Sequence, residues 1–239
     1  MRPMSGLTSN QAEEPEKRSS QPLRPVIAGA DEAGRGCLIG PLVIGIAFAP
    51  EGSDEEIKRI GARDSKLLSP SARTRLYKEL APVCRFKLVK ITAEELNSLM
   101  KKHSLNEIEA MKIAEGMKGE EVSEFFVDSP DTVTARFEKR IRSYNPNIPK
   151  IVSEHKADST YPIVSAASIA AKVERDEEIE KIKRELDFDF GSGYTSDERT
   201  IDFVKKNLAN KTLQKYLRTK WATLDNLKQR KLGEFEEEE

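Results

Sequence analysis

The chain has 239 residues, of which 34% are charged and 37% hydrophobic, a balance that allows one large or two small domains with a substantial core. The formal net charge is −1, but five glutamates lie among the last six residues, and setting them aside leaves +4. Two cysteines and two histidines give no disulfide framework and no zinc spacing, and no apolar run reaches the ~20 residues of a membrane span.

The two ends of the chain differ in composition from the rest. Residues 1–24 are proline-containing and polar, which predicts a disordered leader, and they lack the apolar core of a signal peptide. Residues 229–239 predict a disordered acidic tail for the same reason. We therefore expect one domain over residues 25–228, in a reducing, cytoplasmic compartment.

Five apolar or alternating runs predict strands. Val26–Ala30 and Leu42–Ala49 flank a glycine-rich turn and predict a hairpin. Further strands are expected at Arg85–Ile91, Glu124–Asp128 and Lys150–Ser153.

Helices are predicted from cap residues and from apolar residues at helical spacing. They open at Ser53, Ser69 (to Leu80) and Thr92, and cover Ser104–Met117, Thr132–Arg142, Ile163–Leu186, Asp197–Leu208 and Thr212–Leu227. An early hairpin followed by strand–helix alternation predicts an α/β protein: a mixed sheet flanked by helices, with a C-terminal helical extension.

The segment from Ala30 to Gly36 carries the first chemical signal. Asp31 and Glu32 follow an apolar run, and their carboxylates are hard ligands suited to Mg²⁺ or Mn²⁺. Gly34-Arg35-Gly36 comes next, where the glycines let the main chain approach a phosphate while the guanidinium clamps it. The combination points to phosphodiester chemistry, and the alternative is a polar hairpin turn.

Two further acids occupy similar places. Asp128 ends a short aromatic strand, and Asp158 lies just before the long predicted helix. If the strand ends are adjacent, the four carboxylates lie together at one edge of the sheet, where they repel one another unless divalent cations are bound. Taken singly, each acid is also explained as a solvated surface residue or a helix cap.

A series of motifs resembles one known family, the type 2 ribonucleases H (ribonuclease HII), in the family's order. The blocks are Asp31 to Gly36, Gly40-Pro41-Leu42-Val43, Asp64-Ser65-Lys66, Val127-Asp128, Lys156-Ala157-Asp158, Val164 to Lys172 and Gly191 to Tyr194. Arg218 to Thr223 is similar to the ending of archaeal and eukaryotic members, which favours the archaeal-type single-chain branch. Cys37 and Thr195 stand where the family commonly has proline.

The resemblance implies a ribonuclease H-like core that cleaves the RNA strand of RNA–DNA hybrids. It also implies incision at single ribonucleotides in duplex DNA, leaving 3′-hydroxyl and 5′-phosphate ends. Carried over by position, two Mg²⁺ or Mn²⁺ ions are held by Asp31, Glu32, Asp128 and Asp158, and the substrate is contacted by Gly34, Arg35, Gly36, Ser65, Lys66 and Tyr194.

Two rival functions remain open at this stage. One is a nuclease of the same fold with a different specificity, such as a need for a run of ribonucleotides, and the other is a hybrid-binding protein or an inactive subunit. The expected partners are RNA–DNA hybrids and ribonucleotide-containing duplex DNA. We expect the protein to be a monomer that does not associate with a membrane. A sliding-clamp contact has only a weak apolar–aromatic pattern, Lys231 to Phe235, in its favour.

Overall fold

A five-stranded mixed sheet forms the centre of the protein, whose computed structural model describes residues 25–62 and 68–227. Its strands are β1 (Val26–Ala33), β2 (Leu42–Pro50), β3 (Arg85–Ile91), β4 (Glu124–Asp128) and β5 (Ile151–Glu154). Their order across the sheet is β3-β2-β1-β4-β5. The pairs β1–β2 and β2–β3 are antiparallel, whereas β1–β4 and β4–β5 are parallel. The predicted hairpin and the mixed α/β class are confirmed.

Helices cover both faces of this sheet. They are α1 (Asp54–Ile60), α2 (Pro70–Leu80), α3 (Ala93–Leu99), α4 (Leu105–Gly116), α5 (Thr134–Tyr144), α6 (Ala157–Thr160), α7 (Pro162–Leu186), α8 (Glu198–Asn207) and α9 (Lys211–Gln214), and residues 222–227 are also helical. No helix in the described ranges is both long and apolar enough to cross a membrane.

Helix α7 lies unusually close to one face of the sheet. A Cβ atom on Gly45 of β2 would come within 2.3 Å of the Ala167 carbonyl oxygen, and one on Gly29 of β1 within 2.6 Å of the Ile163 backbone. Small residues on both elements therefore permit the approach. It brings the first half of α7 directly beneath the carboxyl-terminal half of β1.

The opposite face is covered by α3, α4 and α5, whose apolar side chains join those of β1, β2 and β4 in one core. Another apolar cluster lies at the C-terminal side. It joins Leu38 and Ile39, between β1 and β2, to the end of α7 and to the last helices. The loop that carries the Gly-Arg-Gly motif is thus packed against the C-terminal extension.

Three details differ from the sequence-based expectations. β1 continues to Ala33, because its pairing with β2 runs through Asp31 and Glu32, so these acids lie inside the strand. The predicted helix Thr212–Leu227 is wrong: Leu217 bridges to Ile39, and the Arg218 amide donates to the Leu38 carbonyl, which holds this stretch extended. The short helix α6 was not predicted.

Some predictions lie outside the described residues. They concern the leader 1–24, the tail 229–239, and the two proposed phosphate contacts Ser65 and Lys66.

Candidate active site

The first two acids of the site are neighbours across parallel strands. Ala30 of β1 pairs with Val127 of β4, so Asp31 and Asp128 occupy the next position along each strand. Adjacent strands lie about 4.8 Å apart, and the carboxyl ends of parallel strands share one edge of a sheet. Both acids therefore lie at that edge.

Asp31 faces α7 and is only 6% exposed. Ser168 donates a hydrogen bond to its carboxylate, and Nζ of Lys172 lies 3.9 Å from Oδ2. Burial nevertheless raises the pKa of Asp31, because the loss of hydration outweighs the attraction of Lys172, and the charge of Asp158 adds to the rise.

A strained turn holds Asp128 and positions a third acid, Asp158. Lys156 has φ of 56°, a left-handed conformation that costs a residue with a side chain on the order of 1 kcal/mol or more. This turn directs the Ala157 N–H to Oδ1 of Asp128, at 2.8 Å, and starts α6. Asp158, the next residue, is 4% exposed and acts electrostatically on Asp31.

Glu32 lies on the other side of the strand end, towards α4. Burial raises its pKa well above the usual value. The charges of Glu109, Asp31 and Asp128 raise the pKa further, and the charge of Arg35 lowers it. The four predicted acids are therefore gathered at one edge of the sheet, where they repel one another.

Glu109 is a fifth carboxylate that the sequence analysis missed. It lies on α4, is 1% exposed, and forms an ion pair with Nη1 of Arg35. Burial raises its pKa to about 7, although Arg35 lowers it. A signal was present, since Glu109 is four residues from both Leu105 and Ile113 and so shares their inward helix face.

The Gly-Arg-Gly loop packs directly on Tyr194. Gly34 has φ of +84°, which permits a turn closed by the Cys37 amide donating to the Gly34 carbonyl at 3.3 Å. Proline at position 37 could not make this bond because it has no N–H. Cys37 then bridges to Tyr194, whose ring lies 4.6 Å from the guanidinium of Arg175. Burial is the main reason that the pKa of Tyr194 rises to about 12.

Arg218 fixes the same loop from the C-terminal side. Its side chain is fully buried, with Nε donating to the Gly40 carbonyl at 3.0 Å and Nη1 donating to the Arg35 carbonyl at 2.9 Å. Asn97 holds the adjoining stretch by donating to the Leu217 carbonyl and accepting from the Thr219 amide. The Gly-Arg-Gly loop thus depends on a residue almost two hundred positions away.

The donor set fits a hard divalent cation. It consists of carboxylates whose accumulated charge a cation neutralises. Within the described ranges, no three His, Cys, Asp or Glu side chains are already placed to hold a metal ion. Asp31 and Asp128 accept hydrogen bonds from Ser168 and from the Ala157 amide, and each carboxylate keeps further lone pairs that can bind a cation.

A mixed sheet with this order, carrying acids at the carboxyl ends of its central parallel strands, places the protein in the ribonuclease H-like fold class. The family model for ribonuclease HII matches residues 28–224. The chain belongs to the ribonuclease HII family.

Relatives and solved structures agree. The chain is 40% identical over 209 residues to a ribonuclease HII of Archaeoglobus fulgidus, covering 87% of this chain and 99% of that one. It is similar to the crystal structure of ribonuclease H2 from Pyrococcus horikoshii, with a TM-score of 0.76, 38% identity, and coverage of 86% and 98%. It is also similar to the ribonuclease HII in a PCNA complex from Archaeoglobus fulgidus, with a TM-score of 0.75, 38% identity, and coverage of 82% and 95%.

Membership of this family establishes the coarse activity. The protein is a metal-dependent ribonuclease H, an endoribonuclease acting on RNA–DNA hybrids.

Proposed function

We propose that the protein also incises at single ribonucleotides embedded in duplex DNA, by two-metal-ion hydrolysis that leaves 3′-hydroxyl and 5′-phosphate ends. The observation that carries this proposal is the packing of the Gly34–Cys37 loop on Tyr194, beside the acidic edge. An exposed glycine main chain and an aromatic ring then face one short stretch of substrate next to the cleavage centre.

Asp31, Glu32, Asp128 and Asp158 are the residues that would hold the metal. Two bound Mg²⁺ or Mn²⁺ ions would supply an activated water and stabilise the leaving oxygen. The protein's own contribution is the arrangement of these acids: Ser168 orients Asp31, and the Ala157 amide orients Asp128. Lys172 balances part of the negative charge until the ions arrive.

Recognition of a lone ribonucleotide requires contact with its 2′-hydroxyl, the group that distinguishes RNA from DNA. Gly36 is exposed, and the main chain from Gly34 to Gly36 is the part of the loop that can approach that group closely. Tyr194 supplies an apolar face for the adjacent deoxyribose. Ser65 and Lys66 remain proposed phosphate contacts.

The test is cleavage of three duplexes of one sequence: all DNA, DNA with one ribonucleotide, and an RNA–DNA hybrid. With Mg²⁺ or Mn²⁺ we expect incision of the second and third, and none of any duplex with EDTA. Cleavage of the hybrid alone would instead support a nuclease that needs a run of ribonucleotides. End analysis of the products by ligation and by 5′-labelling checks the proposed chemistry.

Two substitutions of Tyr194 distinguish a role in recognising the junction from a role in packing. Tyr194→Phe keeps the ring and should cut the single-ribonucleotide duplex nearly normally. Tyr194→Ala should lose activity on that duplex by roughly tenfold, the loss of about one stacking contact, with a smaller loss on the uniform hybrid. Equal losses on both substrates would remove the junction role.

We also propose a sliding-clamp contact through residues 231–235, since a related ribonuclease HII was solved in complex with PCNA. Replacing Leu232 and Phe235 by alanine should abolish co-elution with the clamp and leave hybrid cleavage unchanged.

We propose further that the protein acts as a cytoplasmic monomer. The nucleic-acid substrate and the unpaired thiols of Cys37 and Cys84 support a reducing compartment.

A further inference from the structure

We propose that Glu109 is a positioning residue for substrate recognition: together with Asn106 it fixes the guanidinium of Arg35 beside Gly36. The proposal rests on the proposed function, because it assigns the Gly-Arg-Gly loop to the ribonucleotide junction. It goes further by naming the residues that determine how the arginine of this loop is presented.

The contacts of Arg35 carry the argument. Nη1 donates to Oε2 of Glu109, and Nη2 donates to Oδ1 of Asn106 at 2.5 Å. The arginine side chain is 32% exposed, whereas that of Glu109 is 1% exposed. The carboxylate therefore grips Arg35 from the protein side and leaves its outer surface open.

The partners of Arg35 are themselves held. Nδ2 of Asn106 donates to Oδ1 of Asp131, and Oδ2 of Asp131 pairs with Nε of Arg140 at 3.1 Å. The backbone carbonyl of Arg35 accepts from Arg218 at 2.9 Å. Both ends of the arginine are thus anchored before any substrate arrives.

This geometry changes the role expected of the arginine. The sequence predicts a free guanidinium that clamps a phosphate, whereas each terminal nitrogen here donates one of its two N–H groups to a protein partner and keeps the second. The side chain is thus held as a fixed wall of a groove of about 420 Å³, together with Gly36, Met100, Leu105 and Trp221. A wall held in place costs less conformational entropy on binding than a mobile side chain.

A purely structural explanation of Glu109 is weak. Burying a carboxylate costs several kcal/mol, which one ion pair barely offsets, and an apolar residue is often as stabilising at such a position. Oε1 of Glu109 has no hydrogen-bond partner among the described residues, so the site is not built to satisfy the carboxylate fully. The placement is better explained by the hold on Arg35.

The test is a double-mutant cycle of Glu109→Gln and Arg35→Ala, read as kcat and KM on the single-ribonucleotide duplex. In the wild-type background we expect Glu109→Gln to raise KM roughly tenfold and to change kcat by less than about threefold. The reason is that Arg35 is then no longer held in its binding position before the substrate arrives. In the Arg35→Ala background the same change should alter KM less than about twofold, because Glu109 acts through Arg35. An equal effect in both backgrounds, or no effect in either, overturns the proposal.

Glu107→Gln is the matched control. Glu107 lies on the same helix, two residues away, and contacts Tyr144 and His103 instead of Arg35. It should leave KM unchanged. If Glu109→Gln does not fold, as judged by thermal unfolding, Asn106→Ala removes the other partner and should raise KM in the wild-type background only.

The uniform RNA–DNA hybrid keeps the two proposals apart. If the wild type cuts the hybrid but not the single-ribonucleotide duplex, the proposed function fails and the cycle is read on the hybrid. If the wild type cuts both and the cycle shows no coupling between Glu109 and Arg35, the positioning role fails by itself.

Discussion

Oδ1 of Asp128 accepts a hydrogen bond from the Ala157 backbone N–H at 2.8 Å, and this contact joins β4 to the turn that carries Asp158. Asparagine at position 128 retains an oxygen that can accept the same bond while losing the charge. We therefore expect Asp128→Asn to fold normally and to bind duplex, but to lose cleavage activity by more than roughly a hundredfold. That loss is larger than the one expected for a residue that only supports a metal ligand.

Single-turnover cleavage and a duplex-binding titration measure these two quantities separately. Asp202→Asn, an exposed position on α8, controls for loss of a carboxylate as such. Near-normal cleavage by Asp128→Asn would show that its charge plays no part in catalysis.

A second prediction concerns the repulsion at Glu32. Burial and neighbouring acids raise the pKa of Glu32, so its charged form destabilises the metal-free protein. Glu32→Gln should therefore raise the unfolding free energy in EDTA at pH 8 by about 1 kcal/mol or more, the order of the desolvation penalty of one buried polar group, because the neutral amide carries no charge for the neighbouring acids to repel.

The same variant should respond less to metal. Mn²⁺ that binds only the folded wild type raises its melting temperature by mass action. Loss of one ligand should shrink that rise in Glu32→Gln, which differential scanning calorimetry with and without Mn²⁺ measures. A larger rise in the variant than in the wild type contradicts the ligand role.

Alanine substitutions at two glycines distinguish an effect on packing from an effect on substrate recognition. Gly45→Ala places a Cβ atom 2.3 Å from the Ala167 carbonyl oxygen and should lower the unfolding free energy by about 1–3 kcal/mol or more. Gly36→Ala places a Cβ atom no closer than 4.0 Å to its nearest neighbour, Cδ1 of Tyr194, and should leave stability almost unchanged.

Gly36→Ala should nevertheless impair cleavage, because the added methyl group occupies the surface that substrate approaches. Urea unfolding and cleavage of the single-ribonucleotide duplex give the two readouts. Full activity in a stable Gly36→Ala protein would count against close main-chain approach at this loop.

A fourth prediction follows from the raised pKa of Glu109, about 7 in the folded protein. A carboxyl group that binds its proton more tightly when folded favours folding at low pH, so its contribution is lost as the pH rises from about 5 through 7. In EDTA the unfolding free energy should fall over this window more steeply for the wild type than for Glu109→Gln.

Glu107→Gln again serves as the comparison. The pKa of Glu107 is lowered by hydrogen bonds from Tyr144 and His103, so the carboxyl group titrates below this window. Its removal should leave the slope close to that of the wild type. Identical slopes for all three proteins would argue that Glu109 is not held in a desolvated environment.

Much of the fold was predictable because local signals and tertiary contacts agree. Thr92 and Ser104 accept hydrogen bonds from the third residue of their helices, as their cap patterns predict. The helix expected at Thr212–Leu227 failed for the opposite reason. Its apolar spacing suits a helix, but the buried hydrogen bonds of Arg218 to a distant loop outweigh that local preference.

The candidate site was predictable where the residue type and its position along a strand are enough to place the side chain, as for Asp31 and Asp128. It was not predictable where long-range packing decides. The left-handed turn at Lys156 has no glycine or asparagine to signal it, and the pairing of Arg35 with Glu109 spans 74 positions. Such contacts become visible only when α4 is placed against the end of β1.

The buried side chain of Arg218 has a consequence for how the enzyme is made. Residues 34–41 receive two of their hydrogen bonds from Arg218, which the ribosome adds long after them and after the five acids of the site. A nascent chain therefore carries every carboxylate of the acidic edge before its loop is secured. We therefore expect the ability to cleave RNA only after Arg218 has been added, and products that terminate before Arg218 should be inert towards RNA.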